Sequence, residues 1–186
     1  MTAKRPRRVV VTGSECTGKT TLSAELAALF ATSWSKEYVR EYQDAKGSPV
    51  LLEDVEAVGA GQIAAEEAAV RAADSLVFHD TDVLSTVVYS LHYNGSCPRW
   101  VEEAARERRP DLYLLLRPDL PWVGDGVRDR PDRREEIHAL FARALLETGV
   151  RVVEIEGQGA ERGVRAERAV RALVDTPGNL PPARIR

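Results

Sequence analysis

Residues 9–22 read Val9-Val10-Val11-Thr12-Gly13-Ser14-Glu15-Cys16-Thr17-Gly18-Lys19-Thr20-Thr21-Leu22, a β-branched run, a glycine-flanked loop and the opening of a helix. Three consecutive valines with no polar alternation predict a strand buried on both faces of a parallel sheet. Gly13 to Thr20 fit G-x-x-x-x-G-K-[ST], the phosphate-binding loop, in the strand–loop–helix context that the motif demands. Its glycines let the backbone curl until successive N–H groups point inward at phosphate oxygens. The helix that opens near residue 19 aims its positive end at the same anion. Lys19 adds a point charge for the β- and γ-phosphates, and the Thr20 hydroxyl can ligate Mg2+. The nucleotide-binding set is therefore Gly13, Ser14, Glu15, Cys16, Thr17, Gly18, Lys19, Thr20 and Thr21, with ATP and Mg2+ as the implied cofactors.

Upstream of the strand, Lys4, Arg5, Arg7 and Arg8 form a basic cluster. It reads as a solvated strand end, since the formal net charge of -3 supplies no global field for nucleic acid. The 186 residues, 44% apolar and 30% charged, suit one soluble globular domain over 1–186. The two cysteines are Cys16, inside the loop, and Cys97. That usage fits a reducing cytoplasm. His79, His92 and His138 lack zinc-type spacing with cysteine. No apolar run approaches the roughly 18 residues needed to span a membrane, and the charged N-terminus leads straight into a strand, unlike a signal peptide. Oligomeric state is not legible.

Downstream, apolar residues at helical spacing predict a helix over 19–31. A second strand ends near Glu37, in Trp34-Ser35-Lys36-Glu37-Tyr38-Val39-Arg40-Glu41-Tyr42, and a short helical turn follows. This gathers two carboxylates, an arginine and two tyrosines at a strand's carboxyl end, the edge where open α/β sheets bind ligands. An Ala- and Glu-rich helix covers 52–73. Gly59 and Gly61 interrupt it beside Gln62, which predicts a close contact or a kink because helical glycine costs stability. Leu76-Val77-Phe78 form a third strand running into His79-Asp80-Thr81-Asp82. An apolar strand ending in Asp is the second magnesium-site element of phosphate-loop enzymes. One of the two aspartates serves chemistry and the other caps the helix at 83–93; His79 reads as a packed residue.

A helix over 100–108, a strand over 112–116, a helix over 135–148, a strand over 150–155 and a helix over 160–174 complete the pattern. Residues 156–159 turn beside the nucleotide site. The proline-bearing tail 176–186 reads as loose. Segment 118–134 is rich in Gly, Pro and Arg and carries Trp122. It reads as a lid that brings arginine to a transferring phosphoryl group, against the alternative of a polar surface loop. Five strands alternating with helices predict an α/β, phosphate-loop-kinase-like fold with a mostly parallel sheet covered on both faces.

The guanine-reading N-K-x-D motif of switch GTPases is absent, and Thr81 occupies the place where motor-like ATPases put a water-polarising Glu. Both observations favour transfer to a small acceptor over hydrolysis.

Gly13 to Thr20, Glu37-Tyr38-Val39-Arg40-Glu41, Gly61-Gln62, Asp80-Thr81-Asp82 with Thr86, and Trp122 through Arg128 follow one another in order. Together they resemble the ribosylnicotinamide kinase domain of the NadR family, in a stand-alone form, over almost the whole chain. The resemblance implies transfer of the ATP γ-phosphate to the 5′-hydroxyl of nicotinamide riboside, in NAD salvage. Thr20 and Asp80 then hold Mg2+ and Lys19 the phosphates. Arg128, with Arg130 or Arg133, stabilises the developing charge. Glu37, Tyr38, Arg40, Gln62, Asp82 and Trp122 bind the acceptor, with Trp34, Tyr38 or Trp122 offering a face to its cationic ring. One of Glu37, Asp80 and Asp82 accepts the hydroxyl proton; which one stays open. Kinases for another nucleoside or a thiamine-like alcohol, an ATP-hydrolysing regulatory module and a silent nucleotide-binding subunit remain as alternatives.

Overall fold

Five parallel strands lie in the order β2-β3-β1-β4-β5. β1 is Arg7–Thr12, β2 Trp34–Ser35, β3 Leu76–Asp80, β4 Leu112–Leu116 and β5 Val152–Ile155. The computed structural model describes residues 5–121 and 133–175. The strands expected from unbroken apolar runs are the most buried: every residue of β3 and β4 is buried. β1 sits at the centre, with Val9 level with Phe78 of β3 on one side and Leu112 of β4 on the other. The chain lays β2 and β3 to one side of β1, then crosses to lay β4 and β5 on the other. The loop after β1 thus occupies the topological switch point, where the crevice of an open α/β sheet forms.

Helices cover both faces: α1 Lys19–Leu29, α2 Tyr38–Lys46, α3 Val55–Arg71, α4 Val83–Asn94, α5 Arg99–Glu107, α6 Arg134–Thr148 and α7 Ala160–Asp175. Alternate residues of the central strands feed two cores. Val9, Val11, Phe78 and Leu114 pack with Leu22 and Leu26 of α1 and Val170 of α7. Val10, Tyr113 and Leu115 pack with Val88 of α4 and Phe141 and Leu145 of α6. Each such buried Val, Leu or Phe contributes about 1.5–3 kcal/mol. Among the described residues, no helix is long and apolar enough to cross a membrane.

Three expectations change. β2 is only two residues long, because the chain leaves the sheet at Lys36 to begin α2, which runs nine residues rather than a single turn. β5 begins at Val152, after the α6 cap at Gly149. The basic end of β1 is not simply solvated: Arg8 Nη2 donates to the buried Glu66 carboxylate at 2.9 Å and Arg7 Nη1 to the Leu173 carbonyl at 2.6 Å. Lys4, the tail 176–186, and Trp122, Arg128 and Arg130 within the expected lid lie outside the described residues.

Candidate active site

The loop between β1 and α1 is a cradle built from backbone. Gly13 adopts φ 137°, and a Cβ there would lie 2.7 Å from the Leu116 carbonyl oxygen, so only glycine lets β1 and β4 close up at this point. Cys16, at φ 53°, continues the curl that turns successive amides inward. Thr17 Oγ1 donates to the Ser14 carbonyl at 2.8 Å and Lys19 Nζ to the same oxygen at 3.0 Å. Arginines far away in sequence hold the loop from behind. Arg162 of α7, 5% exposed, donates to the carbonyls of Thr17 at 2.7 Å, Gly157 at 2.8 Å and Arg117 at 3.2 Å, and pairs with Asp119. One guanidinium thus joins the phosphate loop to the ends of β4 and β5. Arg134, at the start of α6, donates to the Cys16 carbonyl at 3.2 Å and the Leu120 carbonyl at 2.9 Å. Arg133 binds Glu136 at 2.9 Å.

At the end of β3, Asp80 Oδ2 accepts the Thr20 hydroxyl at 2.5 Å. Asp80 Oδ1 is buried without a hydrogen-bond partner among the described residues, a cost in a native protein unless something meets it. Burial and then the Glu37 charge push this carboxyl up to about 6, against the lowering effects of Lys19 and the Thr20 hydroxyl. A cation supplies the missing charge, so this pair fits magnesium. Among the described residues no three His, Cys, Asp or Glu side chains form a metal-ligating group. A magnesium ion held by this pair would take its other ligands from phosphate oxygens and water.

Beside Lys19 opens a cavity of about 580 Å³. Glu15, Lys19, Glu37, Arg40 and Gln62 line it, as do Thr81 and residues on one face of α4. Arg40 Nε donates to the Glu37 carboxylate at 2.8 Å, which orients that carboxylate at the N-terminus of α2. Among the described residues, three lining carboxylates, Glu15, Glu37 and Asp44, stand against two cations, Lys19 and Arg40, a balance that favours a positively charged occupant. Gln62 lies beneath the cavity: its Oε1 accepts the Tyr38 amide at 3.0 Å and its Nε2 donates to the Thr81 carbonyl at 3.4 Å. Gly61 answers the expectation of a close contact, since a Cβ there would fall 2.0 Å from the Tyr38 ring.

Two acceptor-binding assignments land elsewhere. Tyr38 packs over Gly61 and does not line the cavity. Asp82, 5% exposed, stands at the N-terminus of α4, but its Oδ2 accepts the Tyr113 hydroxyl at 2.7 Å inside the fold, and it too is absent from the lining. Burial raises its carboxyl, and the Tyr113 hydroxyl works against that rise. Thr81 between the aspartates explains the divergence. It adopts φ 63°, a left-handed conformation worth roughly 1–3 kcal/mol of strain for a β-branched residue, so Asp80 and Asp82 point to different places. His79 is fully buried and bonded to Ser35 Oγ at 2.8 Å, and desolvation lowers its pKa to about 3, so it stays neutral, as a packed residue should.

Apart from Thr86, the sequence reading missed the polar stripe of α4. Ser85, Thr86, Tyr89, Ser90, Tyr93 and Asn94 all line the cavity, and their four-residue recurrence on an otherwise apolar helix is a legible signal. It also missed Gln43 and Asp44 of α2, one turn beyond Arg40.

A family model described as an AAA domain matches residues 8–162. The trifunctional NAD biosynthesis/regulator protein NadR of Escherichia coli (strain K12) is 31% identical over 175 residues, 90% of this chain and 43% of that protein. The chain thus spans less than half the length of the curated relatives it matches. A crystal structure of NadR protein in complex with NR superposes with TM-score 0.82 at 30% identity, covering 92% of this chain and 52% of that one. A second, of NadR protein in complex with NAD and AMP-PNP, gives TM-score 0.77 at 29% identity, covering 92% and 50%. The α/β phosphate-loop-kinase-like architecture read from the sequence is the architecture of these structures.

Proposed function

This chain belongs to the AAA domain family, and we propose on that premise that it is an ATP-dependent phosphotransferase acting in NAD salvage, which moves the γ-phosphoryl group to the 5′-hydroxyl of nicotinamide riboside and yields nicotinamide mononucleotide. One observation carries the reading. The phosphate-loop lysine opens onto the same 580 Å³ cavity as Glu37, Arg40 and Gln62. Hydrolysis needs room only for water, whereas a cavity of this size beside the phosphates suits a second organic substrate. The likeness to NadR structures holding NR and AMP-PNP supports the same pair of ligands here.

The residues divide the work by position. Loop amides and Lys19 hold the β- and γ-phosphates, and Thr20 and Asp80 hold magnesium, which when bound neutralises phosphate charge. Glu37 is the one member of the Glu37, Asp80 and Asp82 trio that lines the cavity, so we assign it the hydroxyl proton; Arg40 keeps it oriented. The nucleophilic oxygen then attacks the γ-phosphorus, the bond to the β–γ bridging oxygen breaks, and ADP leaves. Arg128 and Arg130 are assigned to the charge that develops on the transferring group, on the family resemblance alone. The acidic lining of the cavity suits the positive pyridinium ring, and its hydroxyl and amide groups suit a ribose.

The test is ATP consumption with nicotinamide riboside, adenosine, uridine and thiamine, with product masses measured. Nicotinamide riboside is expected to have the highest kcat/KM. A neutral nucleoside or thiamine ahead by tenfold, about 1.4 kcal/mol, overturns the acceptor assignment. ATP turnover independent of every acceptor overturns the kinase reading.

A further inference from the structure

Glu66 is fully buried in α3, away from the phosphate loop, and nothing in the chemistry above uses it. Its Oε1 accepts the Val83 amide at 3.0 Å, at the first turn of α4. Its Oε2 accepts Arg8 Nη2 at 2.9 Å and lies 3.5 Å from Arg108 Nε. Four residues earlier, on the same face of the helix, stands Gln62, which binds the Tyr38 amide and the Thr81 carbonyl. One face of α3 therefore grips three points: the start of α2, the strained Thr81 turn and the start of α4. Those points carry both walls of the cavity. α2 supplies Val39, Arg40 and Gln43, and α4 supplies Thr86 and Tyr89. The turn is anchored on its other side as well, by the Thr81 amide on the Val11 carbonyl at 2.9 Å.

A buried carboxylate is weak evidence for stability, because desolvation offsets most of what its ion pairs return and an apolar residue of similar volume serves as well. An apolar residue cannot accept the Val83 amide, however, and an unmet amide at a buried helix start is costly. We propose that Glu66 is a positioning residue for the acceptor: by holding the Val83 amide, in concert with Gln62, it fixes the Thr81 turn and the α4 wall against which the acceptor is aligned. The assignment rests on the kinase reading for its kinetic consequence, but its structural consequence is independent of that reading.

Two variants separate this role from a simple ion pair. Glu66→Ala removes every contact. Glu66→Gln keeps an oxygen for the Val83 amide and loses the charge that faces Arg8 and Arg108. With nicotinamide riboside as acceptor, Glu66→Ala is expected to raise its KM tenfold or more while leaving the KM for ATP within twofold. Glu66→Gln is expected to keep the acceptor KM within about threefold of the parent. Amide hydrogen exchange of the protein without ligands supplies a second readout. Glu66→Ala should accelerate exchange over 81–90 at least tenfold and leave β1 and β4 unchanged, with Glu66→Gln close to the parent. Equal acceptor KM in the two variants, a loss of kcat alone, or faster exchange spread evenly over the whole fold overturns the proposal. If the parent does not phosphorylate nicotinamide riboside, the acceptor assignment fails by itself, and the exchange pattern decides the role of Glu66.

Discussion

Gly61→Ala isolates the contact that sets the distance between α2 and α3. Built at Gly61, a Cβ lies 2.0 Å from Tyr38 Cε1 and 2.3 Å from Cδ1 and Cζ. An ordinary carbon contact is about 3.5–4.0 Å, so the ring must retreat by about 1.5 Å or more. The atoms met are the body of the ring, not its tip, and the Tyr38 amide is tied to Gln62; α2 therefore has to move with the ring. Gly59, two residues earlier in the same helix, is the natural control. Its added Cβ lies 3.3 Å from the Val101 methyls, a matter of tenths of an ångström. Both substitutions gain the same helix propensity, about 1 kcal/mol, so the difference between them reports the clash. Overpacking of this kind costs about 1–3 kcal/mol. At this chain length that is about 2–4 °C of Tm per kcal/mol, with Gly61→Ala the less stable. Moving α2 also displaces Arg40 and Glu37 from the cavity wall. The acceptor KM should then rise at least fivefold in Gly61→Ala, with the KM for ATP unchanged, and neither should shift in Gly59→Ala. Thermal denaturation and steady-state kinetics measure both effects. Equal Tm and equal acceptor KM in the two variants would refute the packing argument.

Lys19→Ala is expected to lower kcat/KM a hundredfold or more while the protein stays folded, since Lys19 Nζ makes one hydrogen bond among the described residues, to the Ser14 carbonyl; a loss below tenfold, about 1.4 kcal/mol, contradicts its role on the phosphates. Arg162→Met should raise the KM for ATP at least tenfold and leave the acceptor KM alone, because Arg162 ties the loop at Thr17 to Arg117 and Gly157, none of which is among the described residues that line the cavity; parallel changes in both constants count against it. Burial, and then the Asp82 charge, hold the Glu66 carboxyl up at about 7, although Arg8 and Arg108 pull the other way. A folded-state pKa above the ordinary 4.5 means that the folded protein keeps a proton the unfolded chain has lost. That stabilising contribution is full below about pH 4.5 and is lost as pH rises through 7. Denaturant titrations between pH 5 and 8 should show the parent losing more stability than Glu66→Gln, and parallel curves for the two proteins would contradict the shift.

What the chain shows locally, it shows in its sequence. Unbroken apolar runs name the strands because a parallel strand is buried on both faces. The phosphate loop is legible because its constraint is one of backbone curl and glycine. Gly61 is visible as an anomaly within a helix, but its cause, the Tyr38 ring, lies on another element. The two aspartates flanking Thr81 are indistinguishable in sequence. Which of them stays at the site depends on the Thr81 backbone conformation and on Tyr113, 31 residues from Asp82. Glu66 and Glu67 read alike as the solvated side of an acidic helix, yet Glu66 is fully buried against an arginine 58 residues earlier. Arg162 is hidden in the same way, because its Thr17 partner lies 145 residues away. All three are polar groups whose partners arrive only when the sheet brings distant elements together, so local composition assigns them to solvent by default. The α4 stripe differs: its polar residues recur every four positions within one helix, where periodicity alone marks a face that is neither core nor plain surface. The groups expected to touch phosphate were therefore legible from motif spacing, whereas those that set the shape of the cavity depend on contacts between elements that no local window contains.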